Sequence, residues 1–364
     1  MKRSCKVSLK FATARKRMAI NALLQAYRPA VNFYIKNLWD KPGIPPYQIL
    51  ENSRLSARYK SMALKQALGI VVGTKRAAKG KDISCPFFNG NAIINKMEIA
   101  VEKGRGSFDL VIRLSSLHKG HRITIPTRKT AVLNKWLAKP GAKLTQGCSL
   151  SESSMILWVD IPDLPPKTGG QVLGVDLGVN KLISDSDGHH YGREFKTIRD
   201  KIRRRKPKSQ GRYRAFSERT NYINHTINLL PWAELRAIGY EDLTGLKTGK
   251  HKNRSKAFRK ALAPWVYRQA INRIKLKAEE NRVLPLANDP ANSSRTCPVC
   301  GTVDKLNRRG EEFLCVSCGY ARDADTVGAQ NILARTLTTL GSMESPGPQK
   351  VMQEKPMHHH PTST

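Results

Sequence analysis

Residues 296–333 read TCPVCGTVDKLNRRGEEFLCVSCGYARDADTVGAQNIL, and this stretch decides the fold of the second half of the chain. It holds two C-x-x-C pairs, Cys297/Cys300 and Cys315/Cys318, with 14 residues between them and a glycine after each second cysteine. Each pair makes a tight knuckle that aims two thiolates at one point, and EEFLCV brings the second pair back beside the first, so the spacing predicts tetrahedral four-sulfur coordination of Zn²⁺. Such a site is closed, hence structural rather than catalytic. The residues that follow predict a helix whose inward stripe runs Asp325, Gly328, Ala329, Ile332 and Leu333. Asp325 therefore heads an apolar face, in the first turn, where the helix dipole favours an acid. Taken alone, it is equally an ordinary helix cap made by Asp323 or Asp325.

Two further acids lie upstream. VLGVDL (residues 172–177) is an apolar run with Asp176 in mid-strand, on the face shared by Val172 and Gly174. A carboxylate there is costly to bury without a partner, and the nearby glycines clear space for a phosphate backbone or a metal. RAIGYEDL (residues 236–243) is a second such strand, ending in Glu241 and Asp242. The two alternate faces, so only one looks across the sheet at Asp176; Glu241 is the choice and Asp242 its competitor. Each acid by itself is also explained as a turn or strand-end residue. Together, two strand-end carboxylates and one from a helix are what holding two Mg²⁺ ions for phosphodiester hydrolysis requires. No Ser-His-Asp or Cys-His pattern competes, and outside the tail no His has a spacing that suggests a ligand pair.

Around these motifs the chain divides by texture. Residues 1–11 and 85–162 are β-patterned, in the runs KVSLKF, AIINKMEIAV, SFDLVIRL, HRITIPT, KLTQGCSL and SMILWVDI, with a short helix KTAVLNKWLAK among them. Residues 12–84 read as a helical insertion: one helix carries Met18, Leu23, Leu24, Tyr27, Val31, Tyr34 and Leu38 at helical spacing, and a second spans roughly 48–72. Residues 163–170 (DLPPKTGG) look like a linker. A hairpin follows, turning at Ser186-Asp187-Gly188, then a helix that Pro207 stops. APWVYRQAINRIKLKAEENR is helical, with Trp265, Ala270, Ile274 and Leu276 as packing positions, and the tail 341–364, including His358, His359 and His360, is expected to be disordered.

Charge bounds the partner. The 364 residues hold 64 Lys and Arg against 28 Asp and Glu, a formal charge of +36, and an apolar fraction of 40% leaves enough for packed cores. No run approaches a membrane span, and the N-terminus lacks the apolar segment of a secretory signal, which argues against membrane insertion and export. Cationic residues occur in nearly every segment rather than on one helical face, which suits a long nucleic acid better than a lipid surface. They concentrate at Arg203, Arg204, Arg205, Lys206 and Lys208, and again at Lys250, Lys252, Arg254 and Lys256. The first group reads as a phosphate-tracking helix, against the alternative of a solvated face or an import signal; the second reads as a loop over polyphosphate. Seven cysteines, four of them paired by spacing, indicate a reducing compartment.

GVDLGVNKLISDSDG, YEDLTGLK and the run from PANSSRTCPVCG to GAQNIL resemble, in that order, the split RuvC motifs and zinc ribbon of the TnpB family of insertion-sequence-encoded RNA-guided nucleases, to which compact type V CRISPR effectors are similar. The resemblance covers residues 171–337; the N-terminal half matches only in layout. It implies an α/β multidomain protein: a wedge β-barrel (1–11 and 85–162) interrupted by a helical recognition domain (12–84), then an RNase H-like RuvC nuclease domain (171–290 and 323–340) with a zinc ribbon (291–322) inserted. It further implies that Asp176, Glu241 and Asp325 bind two Mg²⁺ and cut double-stranded target DNA beside a short adjacent motif. A bound guide RNA would read the sequence, in a monomeric ribonucleoprotein or homodimer at the prokaryotic nucleoid in the cytoplasm. The chain departs from the family's Asp-x-Asn-Ala-Ala at Asp325-Thr326-Val327-Gly328-Ala329, and the helices after the first hairpin look short. Guided DNA binding without efficient cleavage, and a guide-free transposase or resolvase, are the competing expectations.

Overall fold

A computed structural model describes residues 1–41, 43–78, 80, 82–178, 180–243 and 267–344. The cationic run 247–260, Trp265 and the tail beyond Glu344 lie outside the described residues. The chain forms two compact units, Met1–Asp163 and Leu164–Thr364.

In the first unit, β1 (Lys2–Ser8) alternates exposed and buried residues, with Cys5 and Val7 turned inward. It pairs antiparallel with β7 (Ser154–Asp160), which pairs with β6 (Lys143–Leu150), which pairs with β2 (Ala92–Asn95). A second antiparallel sheet comprises β3 (Ile99–Lys103), β4 (Leu110–Ser115) and β5 (Arg122–Thr127). Where the sequence reading implied a barrel, the strands are thus assigned to two sheets. They are stitched at the β6 bulge, where Gln146 accepts from the Val101 N–H at 2.9 Å and donates to its carbonyl at 3.3 Å. AIINKMEIAV is two strands rather than one, because Asn95 accepts from the Met97 N–H and folds the chain back.

Between β1 and β2 run α1 (Ala14–Asp40), capped by Thr13, and α2 (Ala57–Ala78). The second helix begins later than its apolar pattern suggests, because the Ser56 hydroxyl accepts from the Tyr59 N–H and fixes its start. Leu23, Leu24, Tyr27, Val31, Tyr34 and Leu38 are buried, whereas Met18 is 72% exposed, on the opposite face of α1. The short α3 (Ala131–Leu137) precedes β6 and buries Leu133 and Trp136.

The second unit is a five-stranded sheet. Its order is β10 (His190–Tyr191), β9 (Ile183–Asp185), β8 (Gln171–Asp176), β11 (Leu235–Glu241), β12 (Leu284–Asn288). β8, β11 and β12 are parallel, and β9 runs antiparallel to β8. On β8, Leu173 and Val175 turn into a core shared with α5 (Gln210–Asn228) and α6 (Tyr267–Asn281), while α4 (Phe195–Arg204) buries Phe195 in it. Within α6 the packing positions are Ala270, Ile271, Ile274 and Ala278; Leu276 is 41% exposed, one face away. The linker is tied down: the Lys167 N–H donates to Arg282 O at 2.8 Å, its Nζ to Ala233 O at 2.7 Å, and Arg282 Nε to Pro165 O at 2.9 Å.

The other face of the sheet carries α7 (Ala324–Glu344), which continues through Gly341, where the sequence reading began the disordered tail. The packing is backbone to backbone. A Cβ on Gly174 would lie 2.5 Å from the Leu333 nitrogen and nearer still to the Ala329 carbonyl, and one on Gly239 would collide with the Thr336 hydroxyl. Glycine is required at Gly174 by this approach, not by its dihedral angles. Between β12 and α7 come the first cysteine pair and then a small sheet of β13 (Arg308–Arg309), β14 (Glu312–Leu314) and β15 (Ala321–Asp323), with the second pair in the β14–β15 connection. Gly174→Ala is expected to lower the urea midpoint of the second unit by the equivalent of about 3 kcal/mol. Gly169→Ala, with nothing within 4 Å of its added carbon, should leave the midpoint unchanged.

Candidate metal centres at the carboxyl edge of the sheet

Side-chain alternation along β8 puts Gly174 and Asp176 on the α7 face, and the same period puts Gly239 and Glu241 there on β11. Tyr240 pairs with Val175, so Glu241 and Asp176 end their strands side by side. Glu241 is buried, and Asp242 is exposed beyond the sheet. Asp325 enters from the first turn of α7. A Cβ on Gly328, one turn further, would stand 3.3 Å from Asp176 Oδ2, so the helix start lies against that carboxylate.

The acids sense one another. Burial pushes the Asp176 carboxyl well above its ordinary range, and the charges of Glu241 and Asp325 push it further, against the opposing pull of Arg308. Burial also raises Glu241, opposed by a hydrogen bond from the Ser293 hydroxyl and by the Arg335 and Arg308 charges. Asp325 is neutralised in place: Arg308 Nη2 lies 3.2 Å from its Oδ1 and Lys181 Nζ 3.9 Å from its Oδ2. Asp323, two residues earlier, is the cap. Its Oδ1 accepts from the Asp325 and Thr326 N–H groups at 3.1 Å each, and its Oδ2 accepts from Lys181 at 2.6 Å. Burial opposes that charge, but Lys181 and the backbone donors hold the Asp323 carboxyl below its ordinary range.

Sequence reasoning missed four of these participants, Lys181, Ser293, Arg308 and Arg335; of the two candidate caps it offered, Asp323 is the one that caps α7. The one legible hint was the pair Arg308-Arg309 inside an otherwise uncharged-to-acidic hairpin.

The four cysteines converge. Cys297 Sγ lies 3.6 Å from Cys318 Sγ and Cys300 Sγ 3.5 Å from Cys315 Sγ, with all four sulfurs within 4.8 Å of one another. A tetrahedron with Zn–S bonds of about 2.3 Å has edges of about 3.8 Å, so the donors fit zinc. Hydrogen bonding with the Thr302 side chain and backbone pulls the Cys300 thiol down to about 6. The Tyr320 backbone favours the Cys318 thiolate, yet burial and the surrounding sulfurs push that thiol up to about 12. Four thiols this close cannot all ionise without a cation among them. Phe313 and Val327 pack with Cys297 and Cys315, joining the ribbon to α7.

Among the described residues, one other group brings three potential ligands within 4.8 Å, namely Asp185, Asp187 and His189. There the buried Asp185 carboxylate already accepts from the Asp187 and His189 N–H groups and from Tyr191 Oη, closing the β9–β10 turn. The acidic trio is looser than either group. Its oxygens fit a hard divalent cation in chemistry: three carboxylates from three elements, two of them destabilised as bare anions. Of the expected phosphate contacts, Arg203, Arg204, Arg205, Lys206 and Lys208 are all exposed at the end of α4 and just past it, with Arg203 bonded to Asp200 at 3.1 Å. Lys250, Lys252, Arg254 and Lys256 lie outside the described residues. No helix among the described residues is long and apolar enough to cross a membrane.

Residues 267–332, from α6 through the ribbon into α7, match the Cas12f1-like TNB domain family. The CRISPR-associated endodeoxyribonuclease Cas12f1 of Sulfoacidibacillus thermotolerans is 32% identical over 120 residues, which is 32% of this chain and 26% of that protein. Its namesake from Syntrophomonas palmitatica is 27% identical over 199 residues, 44% of this chain and 38% of that protein. A TnpB-like protein of Methanocaldococcus jannaschii is 32% identical over 107 residues, 29% of this chain and 37% of that protein. The chain thus spans between about a quarter and two fifths of the curated relatives it matches. Among solved structures, a Cas12f1–sgRNA–target DNA complex aligns with TM-score 0.53 at 14% identity, over 87% of this chain and 81% of that one. The mini-RNA-guided endonuclease CRISPR-Cas phi3 aligns with TM-score 0.55 at 12% identity, over 92% of each chain. Both likenesses are of fold.

Two measurements follow from the site chemistry. Metal analysis should find one zinc per chain, lost together with the cooperative unfolding of the ribbon in Cys315→Ser. Because the folded Asp176 pKa is raised above the ordinary 3.8, the stability it contributes is fully present below that pH and is lost as pH rises through the folded value. In the absence of divalent ions, Asp176→Asn should therefore raise the melting temperature at about pH 7.5 and leave it unchanged at about pH 4.

Proposed function

Taking this chain as a relative of TnpB and the compact type V effectors, we propose that it is an RNA-guided DNA endonuclease. The observation that carries the reading is geometric: Asp176, Glu241 and Asp325 are drawn from three separate elements onto one sheet edge, where burial raises the Asp176 carboxyl and the charges of the other two raise it further. A fold gains nothing in stability from gathering like charges there; a cation-binding site does.

Asp176, Glu241 and Asp325 would hold Mg²⁺. Two such ions, when bound, supply activation of the attacking water and stabilisation of the leaving oxygen of a phosphodiester. The chain's own residues do the rest. Burial raises the Glu241 carboxyl, and the Ser293 hydroxyl with the Arg335 and Arg308 charges partly oppose that rise. Asp323 fixes the first turn of α7, and so the point from which Asp325 projects. Cys297, Cys300, Cys315 and Cys318 would hold a structural zinc that keeps the Arg308 hairpin against α7. Arg203, Arg204, Arg205, Lys206 and Lys208, with Lys250, Lys252, Arg254 and Lys256, are proposed as phosphate contacts, and the charge of +36 suits a cargo of both RNA and DNA.

On this reading the bound RNA selects the target by base pairing, and residues 1–163 read a short motif beside it. The ribonucleoprotein, monomeric or dimeric, works at the prokaryotic nucleoid. A second reading, guided DNA occupancy without efficient cleavage, is favoured by one observation: both Arg308 and Lys181 already claim Asp325. A guide-free transposase or resolvase has no such support.

The readings separate in one experiment, in which protein is purified with its co-isolated RNA, that RNA is sequenced, and matching DNA is offered with Mg²⁺. The loaded protein should cut the matched DNA, Asp176→Ala should bind it equally well without cutting, and RNA-free protein should do neither. Occupancy without cutting by the wild type would establish the second reading, and cleavage by RNA-free protein would overturn both.

A further inference from the structure

Ser293 is buried in the loop between β12 and the first cysteine knuckle, and its hydroxyl donates to Glu241 Oε1. Building on the nuclease reading, we propose that Ser293 is a positioning residue that holds the Glu241 carboxylate in the orientation from which it ligates a divalent cation.

Three observations carry this. Glu241 has a long side chain at the very end of β11, and among the described residues Ser293 is the one hydrogen-bond donor to its carboxylate. The Ser293 hydroxyl has a single proton and two acceptors within reach, Glu241 Oε1 and the Pro290 carbonyl at 3.2 Å. As a metal ligand Glu241 is a carboxylate, the stronger acceptor of the two, so in that state the Ser293 proton goes to Oε1 and leaves Oε2 for the cation.

The loop that carries Ser293 is itself fixed, and it is fixed by the helix that bears Asp325. Asn331 on α7 donates to Ser293 O at 2.6 Å and to Thr296 O at 2.8 Å. One turn on, Arg335 donates to Asp289 O and, at 2.7 Å, to Ala291 O. Thus α7 supplies one acid directly and sets the orientation of another through this loop, so the spacing of Glu241 and Asp325 is governed by one rigid element. Partners that orient a metal ligand in this way are worth about 10–100-fold in metal affinity or activity when removed.

The test compares wild type, Ser293→Ala and Ser293→Thr. Guide-loaded proteins are titrated with Mg²⁺ for target cleavage, and RNA-free proteins are titrated with Mn²⁺ by electron paramagnetic resonance. Zinc content and melting temperature are measured on each. Ser293→Ala should need about tenfold more Mg²⁺ for half-maximal cleavage and lose about tenfold in its tightest Mn²⁺ site, with zinc and DNA occupancy intact, and Ser293→Thr should restore both. An unchanged Mg²⁺ midpoint and Mn²⁺ affinity in Ser293→Ala would overturn the proposal. So would loss of zinc or of melting temperature in step with activity, since that marks a purely structural serine. If the wild type cuts no DNA, the nuclease reading fails by itself, and the Mn²⁺ titration alone decides the role of Ser293: weakened in Ala and restored in Thr supports it, unchanged overturns it.

Discussion

The burial of acids at one sheet edge, where Asp176 ends its strand beside Glu241 and faces the start of α7, is the constraint around which the second unit is built. Two of the three are raised by burial, and Asp176 is raised again by its neighbours. Such an arrangement persists only where surrounding structure over-determines it. Here the surroundings are backbone: Gly174 and Gly239 let α7 lie directly on β8 and β11, so the helix cannot drift away from the strands to relieve the charge. The cations are placed to match. Arg308 and Lys181 sit on Asp325, Arg335 and Arg308 act on Glu241, and Asp176 keeps only the weaker pull of Arg308. The acid with the least compensation is thus the one at the centre.

The ribbon interrupts the path from β12 to α7, and from there it reaches both remaining acids. Its approach loop carries Ser293 to Glu241, its first hairpin strand carries Arg308 to Asp325, and its last strand ends in Asp323, which caps α7. A metal closed by four thiolates would perform no chemistry, but it would fix the hairpin register on which those three contacts depend. Asn307 shows how tightly this is done: its amide donates to Arg295 O and Thr302 O, and its carbonyl accepts from the Val316 N–H, joining both knuckles immediately before Arg308.

Features that follow from period or spacing were legible before the fold was seen. Alternation along VLGVDL and RAIGYE puts Asp176 and Glu241 on one face, and the cysteine spacing alone brings four thiols together. What was not legible depends on contacts across the chain. Arg308 reaches an acid 17 residues away, and Lys181 one 142 residues away; neither pairing has a local signature. The linker's composition says flexible, but Lys167 donates to the Ala233 carbonyl in the turn before β11 and Arg282 donates to Pro165 O, contacts that no local sequence signal announces. Met18 and Leu276 are apolar but lie off the buried stripes of their helices, since an apolar side chain is not by itself evidence of an inward face.

Gly328 draws these strands together. Where the resembling family has alanine, this chain omits one methyl group at the point where α7 meets Asp176. A Cβ there would stand 3.3 Å from Asp176 Oδ2, close enough to screen that oxygen on the helix side. The substitution weakens the helix by roughly 1 kcal/mol relative to alanine, in a first turn that Asp323 already caps strongly. Stability lost in the helix is thereby exchanged for access to the least compensated carboxylate of the three. The neighbouring Val327 goes the other way: it is fully buried with Phe313 against the ribbon, so the position next to the opened oxygen is the one that secures the helix to its support. The departure from the family pattern is therefore a redistribution along one helical turn, with apolar packing on the cysteine side and room made on the acid side.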